Sequence, residues 1–181
     1  MRSSTWAQRL HKKREGKDRF FKEHPQSPIP PWERKAFKGL SYYPVDPSYR
    51  FELALHEYAE KRLVRVKTTN GGERDLVRWG EFRFEADGEE HTLQAFRTDP
   101  DAGRLFVPFR DETSGNETYA EGRYLDLEPE IHRTPDGRWV VDFNEAYNPW
   151  CEYSDAFECP FAPRENSLRV RVRAGEKRLA S

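Results

Sequence analysis

Beyond residue 48, polar and apolar positions alternate with a period of two along much of the chain. Tyr49, Phe51, Leu53 and Leu55 interleave with polar neighbours, Val64 and Val66 repeat the pattern, and Leu168, Val170 and Val172 alternate with Arg169, Arg171 and Arg173. Successive side chains of a strand point to opposite faces, so the alternation predicts strands buried on one face, most clearly at residues 168–173. Between Leu76 and Ala86 the apolar parity moves from Val77 and Trp79 to Phe82 and Phe84 across Gly80. A bulge or sharp bend produces such a shift, and it predicts a curved sheet. Turn signals at Asn70-Gly71-Gly72, Asp87-Gly88, residues 99–103 and Pro135-Asp136-Gly137 are spaced as in a meander. The pattern gives about eight to nine mainly antiparallel strands, forming either a barrel or a two-sheet sandwich.

Residues 1–23 follow a different rhythm. Trp6, Leu10, Phe20 and Phe21 make a thin apolar stripe at helical spacing, with Ser4 or Thr5 in place as an N-cap, and this predicts one N-terminal α-helix. The prolines of residues 24–31 lack the N–H a helix needs, so residues 24–48 read as an extended Pro-rich connector leading to an antiparallel β body over 49–181. The expectation is a single all-β domain over 1–181 carrying one helix. The helix is rich in Lys and Arg, but Glu15, Asp18 and Glu23 are interspersed, which favours a solvated helix packed by its aromatic stripe over a basic arm for nucleic acid or membrane.

Charge and composition narrow the partners. Only 35% of the 181 residues are hydrophobic and 35% are charged, yet the net charge is -1 and aromatics make up 14%. Disorder normally requires high net charge and few aromatics, so a folded chain with a largely aromatic core is expected. The balanced charge provides no field for capturing nucleic acid or an anionic membrane, and neither is an expected partner. With no apolar run of signal-peptide or membrane-span length, the expected location is cytoplasmic.

Familiar catalytic signatures are missing: there is no phosphate loop, dinucleotide fingerprint, His-Glu-x-x-His or nucleophile elbow. His11, His24, His56, His91 and His132 are scattered among polar neighbours and read as ordinary surface or edge residues, so no metal and no cofactor is expected. Cys151 and Cys159 read first as structural thiols, second as a disulfide and last as metal or redox groups. A cytosolic location favours the reduced form, and Glu152, Asp155 and Glu158 work against an activated thiolate.

The C-terminal half carries the most distinctive blocks. Residues 105–119 lead through Gly122-Arg123-Tyr124-Leu125-Asp126-Leu127 to Asp142-Phe143-Asn144-Glu145-Ala146-Tyr147-Asn148-Pro149-Trp150-Cys151, then to Cys159-Pro160, Glu165-Asn166 and Ala174-Gly175-Glu176-Lys177. With residues 37–44 upstream, these blocks resemble the domain-of-unknown-function 1684 family over nearly the whole chain. The resemblance implies a fold and a set of motif positions but no activity. Longer relatives carry an N-terminal region resembling a phosphopeptide-binding sandwich; the short helix and connector stand in its place here, so that partner function does not carry over. Trp150 and Phe161 depart from the family pattern and would reshape a pocket wall.

Read from the residues themselves, these blocks place polar groups on inward faces. On a strand over 122–127 Arg123 shares a face with Leu125 and Leu127, and Asp142 and Asn144 share one with Val140 while Trp139, Val141 and Phe143 take the other. A buried arginine is costly unless paired, so Asp111, Glu117 or Asp142 must approach it. Two readings follow: a buried ion-pair network tying hairpins together, or a polar pocket. The pocket would be built from Arg110, Asp111, Thr113, Glu117, Tyr119, Arg123, Asp142, Asn144 and Tyr147, and the arginine forks would suit a small anionic ligand. These residues assign no reaction and leave open whether the protein is an enzyme. The alternative is a structural or interaction domain whose polar motif only stabilises the fold.

Overall fold

The computed structural model describes residues 2–180. Helix α1 (Arg2–Glu23) is followed by β1 (Arg50–Leu53), β2 (His56–Lys67), β3 (Glu73–Ala86), β4 (Glu89–Arg97), β5 (Leu105–Phe109), β6 (Arg123–Leu127), the single-turn helix α2 (Pro129–His132) and β7 (Trp139–Asp142). Strands β2 to β6 form a five-stranded antiparallel sheet in chain order, and β1 pairs antiparallel with β7 in a second, two-stranded sheet. The two sheets face each other like a sandwich; they do not close into a barrel. Their shared core joins Phe82, Phe84, Leu93, Val107, Phe109 and Leu125 of the large sheet to Trp139, Val141 and Phe143. Phe51 of β1 completes it, its ring 5.1 Å from Phe84 and 6.0 Å from Phe143.

The expected bend at Gly80 is present: the β3–β4 register shifts between Arg78 and Gly80. A Cβ at Gly80 would lie 2.7 Å from the His56 carbonyl oxygen, so only glycine lets β2 pass this closely. The turn at Asp87-Gly88 has positive φ at both residues (53° and 76°), the geometry that closes a two-residue hairpin.

The structure corrects several expectations. Seven strands form among the described residues, fewer than the alternation suggested. The segment 168–173 buries Leu168, Val170 and Val172 as predicted, but it bends at residues 169–170 and is not a ladder strand. Its backbone is held by single bonds: Leu168 N–H donates to Arg110 O (2.8 Å), Val170 O accepts from Glu112 N–H (3.0 Å), and Val172 N–H donates to Asp111 Oδ2 (2.7 Å). Period-two burial reports a buried face, and it is blind to what satisfies the amides. Ser4 and Thr5 lie inside α1, which begins at Arg2, so neither is its N-cap. Within 24–48 the chain turns repeatedly over 31–36 and buries Ile29, Phe37 and Tyr43 on the body. Leucine and valine share the core with the aromatic residues.

Candidate functional site

The nine residues grouped by sequence are separated into distinct neighbourhoods. The first is a sealed knot around Arg123. Its guanidinium is fully buried, 3.5 Å from Asp111 Oδ1, whose side chain is equally inaccessible. Arg123 Nη2 donates to Val172 O (2.8 Å), and Nη1 donates to Ala174 O and to Glu176 O (3.1 Å). Asp111 accepts from Thr113 Oγ1 (2.9 Å) as well as from Val172 N–H, and Thr113 in turn contacts Thr118 (2.9 Å). Burial lowers the Arg123 pKa, and Asp111 opposes that shift most strongly. The knot therefore lashes the non-ladder segment 168–176 to β6. Gly175, at φ 79°, is needed there because a Cβ would come within 2.6 Å of Ala146 O. Of the acids considered as partners for Arg123, Asp111 fills the role; Glu117 pairs with the exposed Arg173 instead (3.2 Å).

Asp142 belongs to a second neighbourhood, away from the pairing proposed with Arg123. Its carboxylate accepts from Trp6 Nε1 (2.8 Å) and Asn144 Nδ2 (2.8 Å), and Arg50 approaches to 4.0 Å. Burial raises the Asp142 pKa, and the bonds from Asn144 and Trp6 oppose that rise. Asn144 also exchanges bonds with Asp46, donating to its carbonyl (2.8 Å) and accepting from its N–H (2.9 Å). These residues clamp α1, the connector and β7 together. Asn148, which fitted simple turn chemistry in the sequence, is fully buried and donates to Lys177 O (2.9 Å) and Tyr153 Oη (3.2 Å).

Between α1 and the β body runs a groove in two adjoining chambers, of about 300 Å³ and about 340 Å³, which share Leu10, Lys13, Ile131, His132 and Glu145. Asn144 and Tyr147 are the sequence candidates on the wall of the first chamber, beside Tyr42, Trp150 and Ala146. The helix contributes cations. Lys13 Nζ meets Glu145 Oε1 (3.1 Å), Lys17 Nζ meets the buried Glu176 carboxylate, and Arg14 donates to the carbonyls of Tyr43 (3.0 Å) and Asn144 (3.2 Å) while stacking over Tyr42 (4.4 Å). The body contributes acids. Tyr147 Oη donates to Asp126 Oδ2 (2.5 Å), and burial beside that carboxylate raises the phenol's pKa.

His132 is buried, against the expectation of a surface residue. Its Nδ1 accepts from Glu128 N–H (2.9 Å), which fixes the proton on Nε2, and that N–H points at Glu145 Oε2 (2.8 Å). Both nitrogens are committed, so His132 orients Glu145 and has no free lone pair for base catalysis. Burial works to raise the Glu145 pKa, but His132 and Lys13 outweigh it and hold the carboxyl down at about 2. Sequence reasoning missed Lys13, Arg14, Lys17, Asp126, His132, Glu145 and Glu176, because helix and body meet only in three dimensions. The i, i+4 stripe of Trp6 and Leu10 was the available signal that this helix face docks.

The remaining candidates lie elsewhere. Arg110 is exposed on a shallow surface with Ser167 and Arg169, and Tyr119 lines a depression with Cys151, Asp155 and Phe157. Cys151 and Cys159 form a disulfide, which corrects the leading expectation of two thiols. The loop it closes is stitched to the β2–β3 turn: Thr69 N–H donates to Cys159 O (3.1 Å), and Cys159 N–H donates to Thr69 Oγ1 (3.2 Å). Among the described residues no group of three or more His, Cys, Asp or Glu gathers to hold a metal, and no helix is long and apolar enough to cross a membrane.

Comparison with known proteins fits this architecture. The solution NMR structure of an uncharacterised protein from gene locus rrnAC0354 of Haloarcula marismortui superposes with a TM-score of 0.74 at 44% identity, covering 97% of this chain and 95% of that one. No curated protein matches the chain. Residues 35–177 match the family described as "Protein of unknown function (DUF1684)", and with blocks and fold in agreement the chain belongs to that family.

Proposed function

We propose that the protein is a small-molecule-binding domain whose ligand occupies the groove between α1 and the β body. One observation carries this reading: the groove brings the aromatic walls of Tyr42, Tyr147 and Trp150 together with charged groups of both signs, the form expected of a binding cleft. The anionic ligand suggested by the arginine forks loses its main support, because the Arg123 donors go to backbone carbonyls and Asp111. No reaction is proposed. His132, the groove's histidine, has both ring nitrogens engaged.

The second reading, a polar motif that only stabilises the fold, is favoured at the knot, where Arg123 and Asp111 touch no cavity wall in the groove. The two readings therefore apply to different residues. The test is a metabolite screen on the full chain by thermal shift, with hits mapped by amide chemical shifts. Shifts centred on Ala146, Tyr147 and Trp150 support the groove; hits that map only to other surfaces contradict it.

A further inference from the structure

From the charge layout of the groove we infer that its ligand is a zwitterion of amino-acid or dipeptide size, lying along α1 with its carboxylate toward the Trp6 end and its ammonium toward the Tyr147 end. This rests on the groove being the binding site. The two chambers differ in the sign of what remains after internal pairing. At the Trp6 end Arg9 and Arg50 line the wall; Arg50 faces Asp142 (4.0 Å) and Glu52 (3.8 Å), while Arg9 has no acid partner among the described residues. Asp142, the acid there, is engaged by Trp6 and Asn144. A guanidinium with a spare donor suits a carboxylate.

At the Tyr147 end the balance reverses. Lys13, Arg14 and Lys17 face Glu145, Glu176, Asp126 and Glu128, an excess of one acid, and the Asp126 carboxylate is bonded by the Tyr147 hydroxyl. Aromatic faces beside carboxylates are a setting for an ammonium group, and the molecule displays the chemistry itself: Lys17 Nζ lies 5.0 Å from the Tyr147 ring centre and 5.4 Å from that of Phe21. Between the ends, Ile131 is 68% exposed on the shared wall and offers an apolar contact for a side chain.

The experiment titrates the full chain with phenylalanylglycine, its N-acetyl form and its C-terminal amide, following amide shifts and affinity. The expected result is that the free dipeptide shifts groove resonances and that blocking either end weakens binding about tenfold, the loss of one charge-assisted hydrogen bond. Asp126→Asn should weaken the dipeptide and the amide while leaving the acetyl form unchanged, and Arg9→Gln should do the converse. Blocked forms that bind the groove as tightly as the dipeptide would overturn the zwitterion and leave the groove reading standing. Absence of any groove shift with all three probes also overturns it, while the wider metabolite screen separately decides the groove reading.

Discussion

The Arg123 knot and the α1 groove are built from the same residue types and differ in where the hydrogen bonds go. In the knot the arginine donors end on main-chain carbonyls of residues 172–176, and the carboxylate of Asp111 receives a main-chain amide. In the groove, Lys13 of the helix meets Glu145 of the body across a seam that solvent reaches: the Lys13 side chain is 65% exposed and Glu145 22%. A charge consumed by backbone is committed to the fold. One traded between side chains across an open seam can be retraded with a ligand.

The largest effect separates the two regions. Arg123→Ala leaves Asp111 buried and uncompensated and frees three carbonyls, and thermal or denaturant unfolding should show a loss of about 3–5 kcal/mol. A loss below about 1 kcal/mol would mean the knot is not what holds residues 168–176. Next in size is the disulfide. Replacing both Cys151 and Cys159 by Ser should cost about 2–3 kcal/mol in the chain-entropy picture, because the loop is short. Equal stability of the oxidised, reduced and doubly substituted protein would contradict this.

The groove should respond more gently. Tyr147→Phe removes one hydroxyl bond to Asp126 and is expected to cost about 1 kcal/mol or less, while altering the affinity of any groove ligand. A separate, pH-dependent effect is expected at Glu145. Its folded pKa lies near 2, below the ordinary value of 4.5, so its contribution is complete above pH 4.5 and fades as the pH falls toward 2. Asp142 has the opposite sign: its raised pKa means that acidification relieves a burial penalty. The melting-temperature gap between wild type and Glu145→Gln should thus stay constant from pH 7 to pH 5 and close below. A gap that widens in acid would reverse the assignment.

Much of the fold was legible because alternation, glycine turns and the parity break at Gly80 are local signals that the sheet obeys. Inward placement of Arg123 was legible for the same reason, since it shares parity with Leu125 and Leu127, both buried. Its partner was not, because parity fixes a face and leaves open which of several acids approaches. Segment 168–173 shows the complementary failure: its burial pattern is that of a strand, but its hydrogen bonds come from Arg123, Asp111 and Arg110 over separations that no local pattern encodes. The role of Asn166, named only within a distinctive block, was hidden likewise. This residue accepts from Gln94 N–H (2.7 Å) and donates to the carbonyls of Gln94 (2.9 Å) and Pro108 (2.8 Å), joining β4 and β5 with a side chain where little ladder exists. The groove was the least legible, since half its wall is a helix more than a hundred residues away in sequence from the other half.

Native-state amide hydrogen exchange tests the contrast between sealed knot and open seam most directly. A sealed knot predicts that the Val172 amide, bonded to buried Asp111, exchanges only through global unfolding, whereas α1 amides around Lys13 and Lys17 exchange through a smaller opening. The contrast fails if Val172 exchanges as readily as the α1 amides, or if those α1 amides open only with the whole molecule.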